Sequence, residues 1–144
     1  MKKNNCILVT FLLMLLIVQS SIAQKNKDSL FNKKTVLNYM HRVADWQIND
    51  WNANGFKKPK YNWTYATAYT GIFELGKLSK DKKYIDFLIT IGNDLKWNTG
   101  SRRFFADDYC VAQTFCNLYL LKKEPKMIES FKILADSIAA QPHT

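Results

Sequence analysis

Histidine and cysteine are scarce in this chain, and their placement excludes most chemistry that depends on them. The two histidines, His41 and His143, stand far apart with no cysteine or carboxylate at ligand spacing, so no metal site and no cofactor is indicated. Of three cysteines, Cys6 lies at the extreme N-terminus, which leaves Cys110 and Cys116. Six residues apart in one predicted helix, these two are rotated by about 600° and separated by roughly 9 Å along the axis, beyond the reach of a disulfide. Two buried or half-buried thiols are the expectation. An arginine-rich run is also missing: the lysines are dispersed over helix faces, which argues against nucleic acid as a partner. No apolar run reaches the roughly twenty residues that a bilayer span requires, so no stable membrane anchor is expected.

What is present begins with a leader. Met1-Lys2-Lys3 is basic, Ile7 to Val18 is almost unbroken apolar sequence, and Ser21-Ile22-Ala23 offers the small residues that a signal peptidase reads. Residues 1–23 are therefore expected to be a signal peptide cleaved near Ala23, giving an exported product, periplasmic or extracellular. The remaining domain, 24–144, is enough for one small core. The full chain carries 21 basic and 12 acidic residues, a net charge of +9. An excess of this sign favours acidic partners such as uronate-bearing sugars, although it also serves simple solubility.

The apolar residues recur at helical spacing throughout. From Ser29 to Asp50, Leu30, Val36, Leu37, Met40, Val43, Ala44 and Ile48 form one stripe. A turn-rich, basic loop follows from Asn52 to Lys60. Helical pattern resumes from Thr64 to about Leu78, with Gly71 and Gly76 embedded, which implies close approach of neighbouring helices. After a short link at Ser79-Lys80-Asp81, Tyr84 to Trp97 reads as a third helix, antiparallel to the second. A loop from Asn98 to Phe105 then leads to Ala106-Asp107-Asp108-Tyr109 and another helix.

The pattern repeats at an interval of 43 residues. Leu75 falls on Leu118, Leu78 on Leu121, Asp81 on Glu124, Ile85 on Ile128, Leu88 on Phe131, Ile91 on Leu134 and Leu95 on Ile138. The predicted fold class is all-α, a series of helical hairpins, either an open solenoid or a closed α/α toroid. Tetratricopeptide spacing, about 34 residues, does not fit. Short links alternate with long aromatic and charged loops, so parallel stacking would bring the long loops to one end. Trp63, Tyr65, Arg102, Arg103, Asp107 and Asp108 would meet there.

Two carboxylates beside Trp and Tyr suit carbohydrate chemistry, since aromatic faces accept sugar rings and a carboxyl group moves protons. Consecutive residues of a helix diverge by about 100°, so at most one Asp points into a cleft and the other caps or orients. On chemistry alone, a plain structural role for both, as caps of a helix N-terminus, is the ordinary one for residues of this type.

Four segments carry a resemblance to a known family: Asp45-Trp46-Gln47; Asn62-Trp63-Thr64-Tyr65-Ala66-Thr67-Ala68-Tyr69-Thr70-Gly71; Asp81-Lys82-Lys83-Tyr84; and Ala106-Asp107-Asp108-Tyr109-Cys110-Val111-Ala112-Gln113-Thr114-Phe115 with Leu118-Tyr119. In order and spacing, from about Val43 to Thr144, these resemble glycoside hydrolase families 88 and 105, the unsaturated glucuronyl and rhamnogalacturonyl hydrolases. The resemblance implies an (α/α)6 barrel, here incomplete with about five helices. It also implies action on an acidic oligosaccharide bearing a 4,5-unsaturated uronic acid at its non-reducing end, by protonation and hydration of the double bond without a metal. On the matching positions Asp107 is the catalytic aspartate, with Asp108 the weaker match, and Trp63 packs on the sugar. Tyr65, Arg102 and Arg103 are further candidates, the arginines because guanidinium binds carboxylate bidentately.

Two departures qualify what the resemblance implies. Phe105 stands where many relatives carry a polar residue, often His. The family's main proton donor, in a later Trp- and Asp-containing motif, has no counterpart before Gln141-Pro142-His143-Thr144, so the chain alone is expected to be catalytically incomplete. A helical-repeat binding module without catalysis is the alternative reading.

Overall fold

The computed structural model describes residues 31–141. The expected leader at 1–23, its cleavage near Ala23, and His143 lie outside the described residues. Asn62 starts the second of the helices by capping it: its Oδ1 accepts from the Thr64 amide at 3.1 Å and from the Thr64 hydroxyl at 2.8 Å. Asp81 does the same for the third, accepting from the Lys83 amide at 3.1 Å. Among the described residues the chain forms five α-helices and no strand: α1 (Lys33–Asn54), α2 (Trp63–Ser79), α3 (Lys82–Asp94), α4 (Cys110–Lys122) and α5 (Glu129–Ala140). Short 3-10 turns, Ala106–Tyr109 and Pro125–Met127, precede α4 and α5. None of these helices is long and apolar enough to cross a membrane.

The chain divides into two units, Met1–Arg42 and Val43–Thr144. In the first, the described residues are the opening turns of α1, where the Asn32 carboxamide accepts from the Thr35 amide at 2.9 Å.

The 43-residue repeat is visible in the backbone itself. Helix α2 ends on Lys80 in the left-handed conformation (φ 59°) and α4 ends on its equivalent, Lys123 (φ 60°). Equivalent side chains are buried alike: Ile72 and Phe115, Leu75 and Leu118, Tyr84 and Met127. Helix α2 packs against both α3 and α4. Residues of the first turns of α2 (Ala66, Thr67, Thr70) line the same groove as residues at the start of α4 (Cys110, Gln113), so the two helices run parallel from a common rim. Helices α2 and α4 thus lie side by side, with α3 as the returning helix between them in sequence.

The structure corrects several expectations. Helix α3 stops at Asp94 instead of continuing to Trp97. Lys96 and Trp97 turn left-handed (φ 50° and 58°), the Trp97 amide donates to the Gly92 carbonyl at 2.8 Å, and the indole N–H donates to Asn93 Oδ1 at 3.2 Å. Two left-handed residues cost about 2–4 kcal/mol. Burying an indole against the bare Gly92 backbone and the Phe115 ring, 5.2 Å away, returns about 4–6 kcal/mol, so the turn is favoured.

Of the two glycines expected at a close approach, only Gly76 is at one: a Cβ there would lie 3.0 Å from Ile85 Cδ1, whereas Gly71 faces open space. On α1 the buried residues are Ala44 and Trp51, while Val43 and Trp46 of the expected region remain exposed. Trp51 is held by stacking on Phe56 and Phe87 and edge contacts with Tyr65 and Tyr69. Asp45, from the Asp-Trp-Gln segment, accepts from the Tyr84 hydroxyl at 2.9 Å and pairs with Lys83, tying α1 to the start of α3. Burial first, and then this bond to Asp45, pushes the Tyr84 phenol up to about 12. Helix α5 contributes no buried residue; Phe131 is half-buried where its equivalent Leu88 is fully buried, and Ile133 is 66% exposed.

Glycine chemistry separates two substitutions. Gly71→Ala should stabilise the fold by up to about 1 kcal/mol through helix propensity. Gly92→Ala should destabilise it by about 1–3 kcal/mol, because the new Cβ would meet the Trp97 ring. Urea unfolding of both variants checks the ordering, and a reversed order would contradict the packing described.

Candidate active site

The segment Ala106-Asp107-Asp108-Tyr109 is a 3-10 turn, not the first turn of the α-helix. Successive residues of such a turn diverge by about 120°, so the two carboxylates separate as expected. Asp108 turns inward and is 2% exposed. No capping bond to helix α4 is made. Its Oδ2 accepts instead from the Arg102 amide at 3.1 Å and Arg102 Nε at 3.0 Å, and its Oδ1 from Arg102 Nη2 at 2.5 Å. The capping role open to Asp108 in the sequence is therefore replaced by a bidentate ion pair that closes the loop on itself.

The rest of the loop fits around that pair. The Gly100 amide donates to the Asp108 carbonyl at 2.9 Å, and a Cβ on Gly100 would come within 2.5 Å of Asp108 Cβ, so glycine is required by space. Tyr109 donates its hydroxyl hydrogen to the Arg102 carbonyl. The Arg102 guanidinium lies 3.6 Å from the Phe105 ring centroid, so Phe105 serves as the platform for the arginine. The hydrogen bond from Arg102 is the main cause that holds the Asp108 carboxyl below the usual carboxylate range.

Arg103 has a different partner. Its Nη2 donates to the Ser137 carbonyl at 2.6 Å and the Gln141 carbonyl at 3.2 Å, placing a cation at the C-terminus of α5. Both arginines singled out for a substrate carboxylate are thus engaged by the protein, Arg102 with Asp108 and Arg103 with α5.

Asp107 is the half-exposed carboxylate of the pair, between Ala106 and Tyr109, which share an edge of the groove between α2 and α4. That groove is a cavity of about 560 Å3 whose polar lining comes from Thr67, Thr70, Tyr109, Cys110 and Gln113. By helical spacing Trp63 shares an arc of about 100° with Ala66, Thr67 and Thr70, and it is 47% exposed at the opening of α2. Trp63 opens α2 and Asp107 lies in the turn that leads into α4, the two helices whose starts line the groove; neither is itself a lining residue.

Tyr65 is not brought to this face. It lies about 200° around α2 from Trp63, where its hydroxyl accepts from the Lys58 amide at 3.2 Å and its ring packs on Trp51 and Phe56. The thiols also differ from expectation in part: both are free, but Cys110 is exposed on the groove, and Cys116, which also lines it, is half-buried, with burial pushing its pKa up. Among the described residues no group of three or more His, Cys, Asp and Glu side chains could hold a metal ion.

The family model described as Glycosyl Hydrolase Family 88 matches residues 39–144. This chain belongs to glycoside hydrolase family 88. No curated protein and no solved structure matches it. The matched region of this family 88 chain holds the whole groove, the Asp108–Arg102 loop and the rim. The sequence reading missed Thr67, Thr70, Cys110 and Gln113 as groove residues. The repeat contained the signal, since a shift of 43 places Thr67 on Cys110 and Thr70 on Gln113, equivalent positions facing one another across the groove.

Acid should weaken this loop. Asp108 is held below its unfolded value, so its contribution is complete above about pH 4 and is lost as pH falls through the lowered pKa. Asp108→Asn should be less stable than wild type at neutral pH and show a weaker loss of stability as pH falls below about 4. Gly100→Ala should give a similar neutral-pH loss. Equal acid sensitivity in wild type and Asp108→Asn, measured by urea midpoints, would remove this carboxylate from the account.

Proposed function

We propose that this family 88 chain supplies the sugar-recognising rim and first catalytic carboxylate of an exported enzyme acting on unsaturated uronyl-terminated oligosaccharides. What supports the reading is that Trp63 and Asp107 are both accessible and lie at the starts of the two helices that border a polar groove, while Asp108 is removed from solvent as a loop brace. On this reading the Trp63 indole packs on a face of the sugar ring. Asp107 is the group that exchanges a proton with the sugar or with the water that adds to it. Asp108 and Arg102 are positioning residues that fix Asp107 through the loop. Export with cleavage near Ala23, and an acidic saccharide as the partner of a basic chain, belong to the same proposal.

Hydration of a 4,5 double bond needs a proton delivered to one carbon and a water activated toward its neighbour. Asp107 supplies one such group, and the lining of the groove adds hydroxyls, two thiols and a carboxamide but no carboxylate. We therefore expect the 144-residue chain to bind an unsaturated glucuronyl disaccharide without consuming it. Binding should shift the amide resonances of Trp63 and Thr67, while the enol-ether absorbance stays constant. Turnover by this chain would contradict that expectation. In a form of the enzyme that carries the family's further carboxylate, Asp107→Asn should lower turnover by about 100-fold or more, and wild-type turnover would overturn the assignment.

A further inference from the structure

A second cavity, of about 610 Å3, lies on the far side of α2 from the groove. One wall is a single stripe of α1: Gln47, Asp50 and Asn54 fall within an arc of about 60°. The other is the start of α2, Thr64 and Tyr65, and Lys57 closes one end beside Gly55. Gly55 holds a positive φ of 73°, which turns the chain sharply out of α1 so that Lys57 can return over the cavity. The size is that of a small-molecule site. The residues of α2 that line it, Thr64, Tyr65 and Ala68, are about 150° around the helix from those that line the groove, so this cavity is separate from the candidate active site.

Its chemistry selects a ligand class. The Asn54 carboxamide donates to Asp50 Oδ1 at 2.8 Å, which orients the carboxylate and leaves its remaining lone pairs for hydroxyl donors. Gln47 and Asn54 each provide both a donor and an acceptor, and Thr64 adds a hydroxyl. The aromatic floor is closed: Trp51 is stacked on Phe56 at 5.1 Å and on Phe87 at 6.0 Å, and is only 6% exposed, so it offers no open ring face to a cation or a stacked ring. A ligand here is held through many hydroxyls. The one acidic and one basic side chain of the lining, Asp50 and Lys57, balance in charge, so the cavity as a whole favours a neutral ligand over an ionised one.

We infer that the α1–α2 cavity is a secondary carbohydrate-binding site for a neutral sugar unit, distinct from the rim where a uronate is expected. Such a site would hold the uncharged part of a glycan while its acidic end is processed elsewhere. The saccharide class rests on the same family membership as the proposed function, but the location and the charge preference rest on this cavity alone.

Nitrogen-15 NMR titration of the 144-residue chain tests it, with cellobiose as the neutral probe and glucuronate as the charged one. Cellobiose at tens of millimolar should shift the side-chain amides of Gln47 and Asn54, and glucuronate should bind there at least tenfold more weakly. Asn54→Ala and Gln47→Ala should each weaken cellobiose binding by tenfold or more, with unchanged helical circular dichroism. Silence of both side-chain amides, shifts confined to the Thr67–Gln113 groove, or equal binding of glucuronate would each overturn the inference. The wild-type titration does not depend on any variant folding. A parallel titration with the unsaturated disaccharide, read at Trp63, tests the proposed function independently.

Discussion

The ion pair between Asp108 and Arg102 is the constraint on which the rest of the site depends. A carboxylate that is 2% exposed is costly to bury unless its oxygens are satisfied, and here three N–H groups of a single residue satisfy them. Because donor and acceptor lie six residues apart, the bond fixes the path of the loop between α3 and α4. Gly100 permits the approach, Phe105 supports the guanidinium, and Tyr109 returns a hydrogen bond to the Arg102 carbonyl. Of two adjacent aspartates, one is buried in an ion pair and the other stays half-exposed.

That loop reaches the correct end of the bundle because α2 and α4 are equivalent halves of a repeat. Both begin at one rim and both end on a left-handed lysine at the other, Lys80 and Lys123, where the links are short. Short links force the next helix to fold back, so the long connections gather at the opposite end. The residues that face each other across the groove, Thr67 with Cys110 and Thr70 with Gln113, are equivalent positions for the same reason.

The hairpins, the short links and the gathering of long loops were legible in the sequence because they depend on local periodicity. So was the separation of Asp107 from Asp108, which follows from the pitch of any helix. The partner of Asp108 was not, since an arginine six residues upstream across an irregular loop leaves no periodic trace. The sequence offered Arg102 to the substrate; the structure gives its guanidinium to Asp108. Trp63 and Tyr65, grouped by proximity in sequence, part company because residues two apart on a helix face nearly opposite ways. The left-handed exit at Trp97 could not be read from propensity, since it exists to bury an indole on Gly92, a tertiary gain that outweighs a local cost. The exposure of Val43 and Trp46 has the same origin: amphipathic spacing marks a stripe but does not say which part of it meets a neighbour.

The account is tested most directly by the position of a bound sugar. In a crystal of the chain soaked with an unsaturated glucuronyl disaccharide, the unsaturated ring should lie against the Trp63 indole, with an Asp107 oxygen within about 3 Å of the ring or of a water beside its double bond. A disaccharide seated elsewhere on the molecule, with Asp107 out of reach of it, would contradict the claim that this rim is where the sugar is recognised.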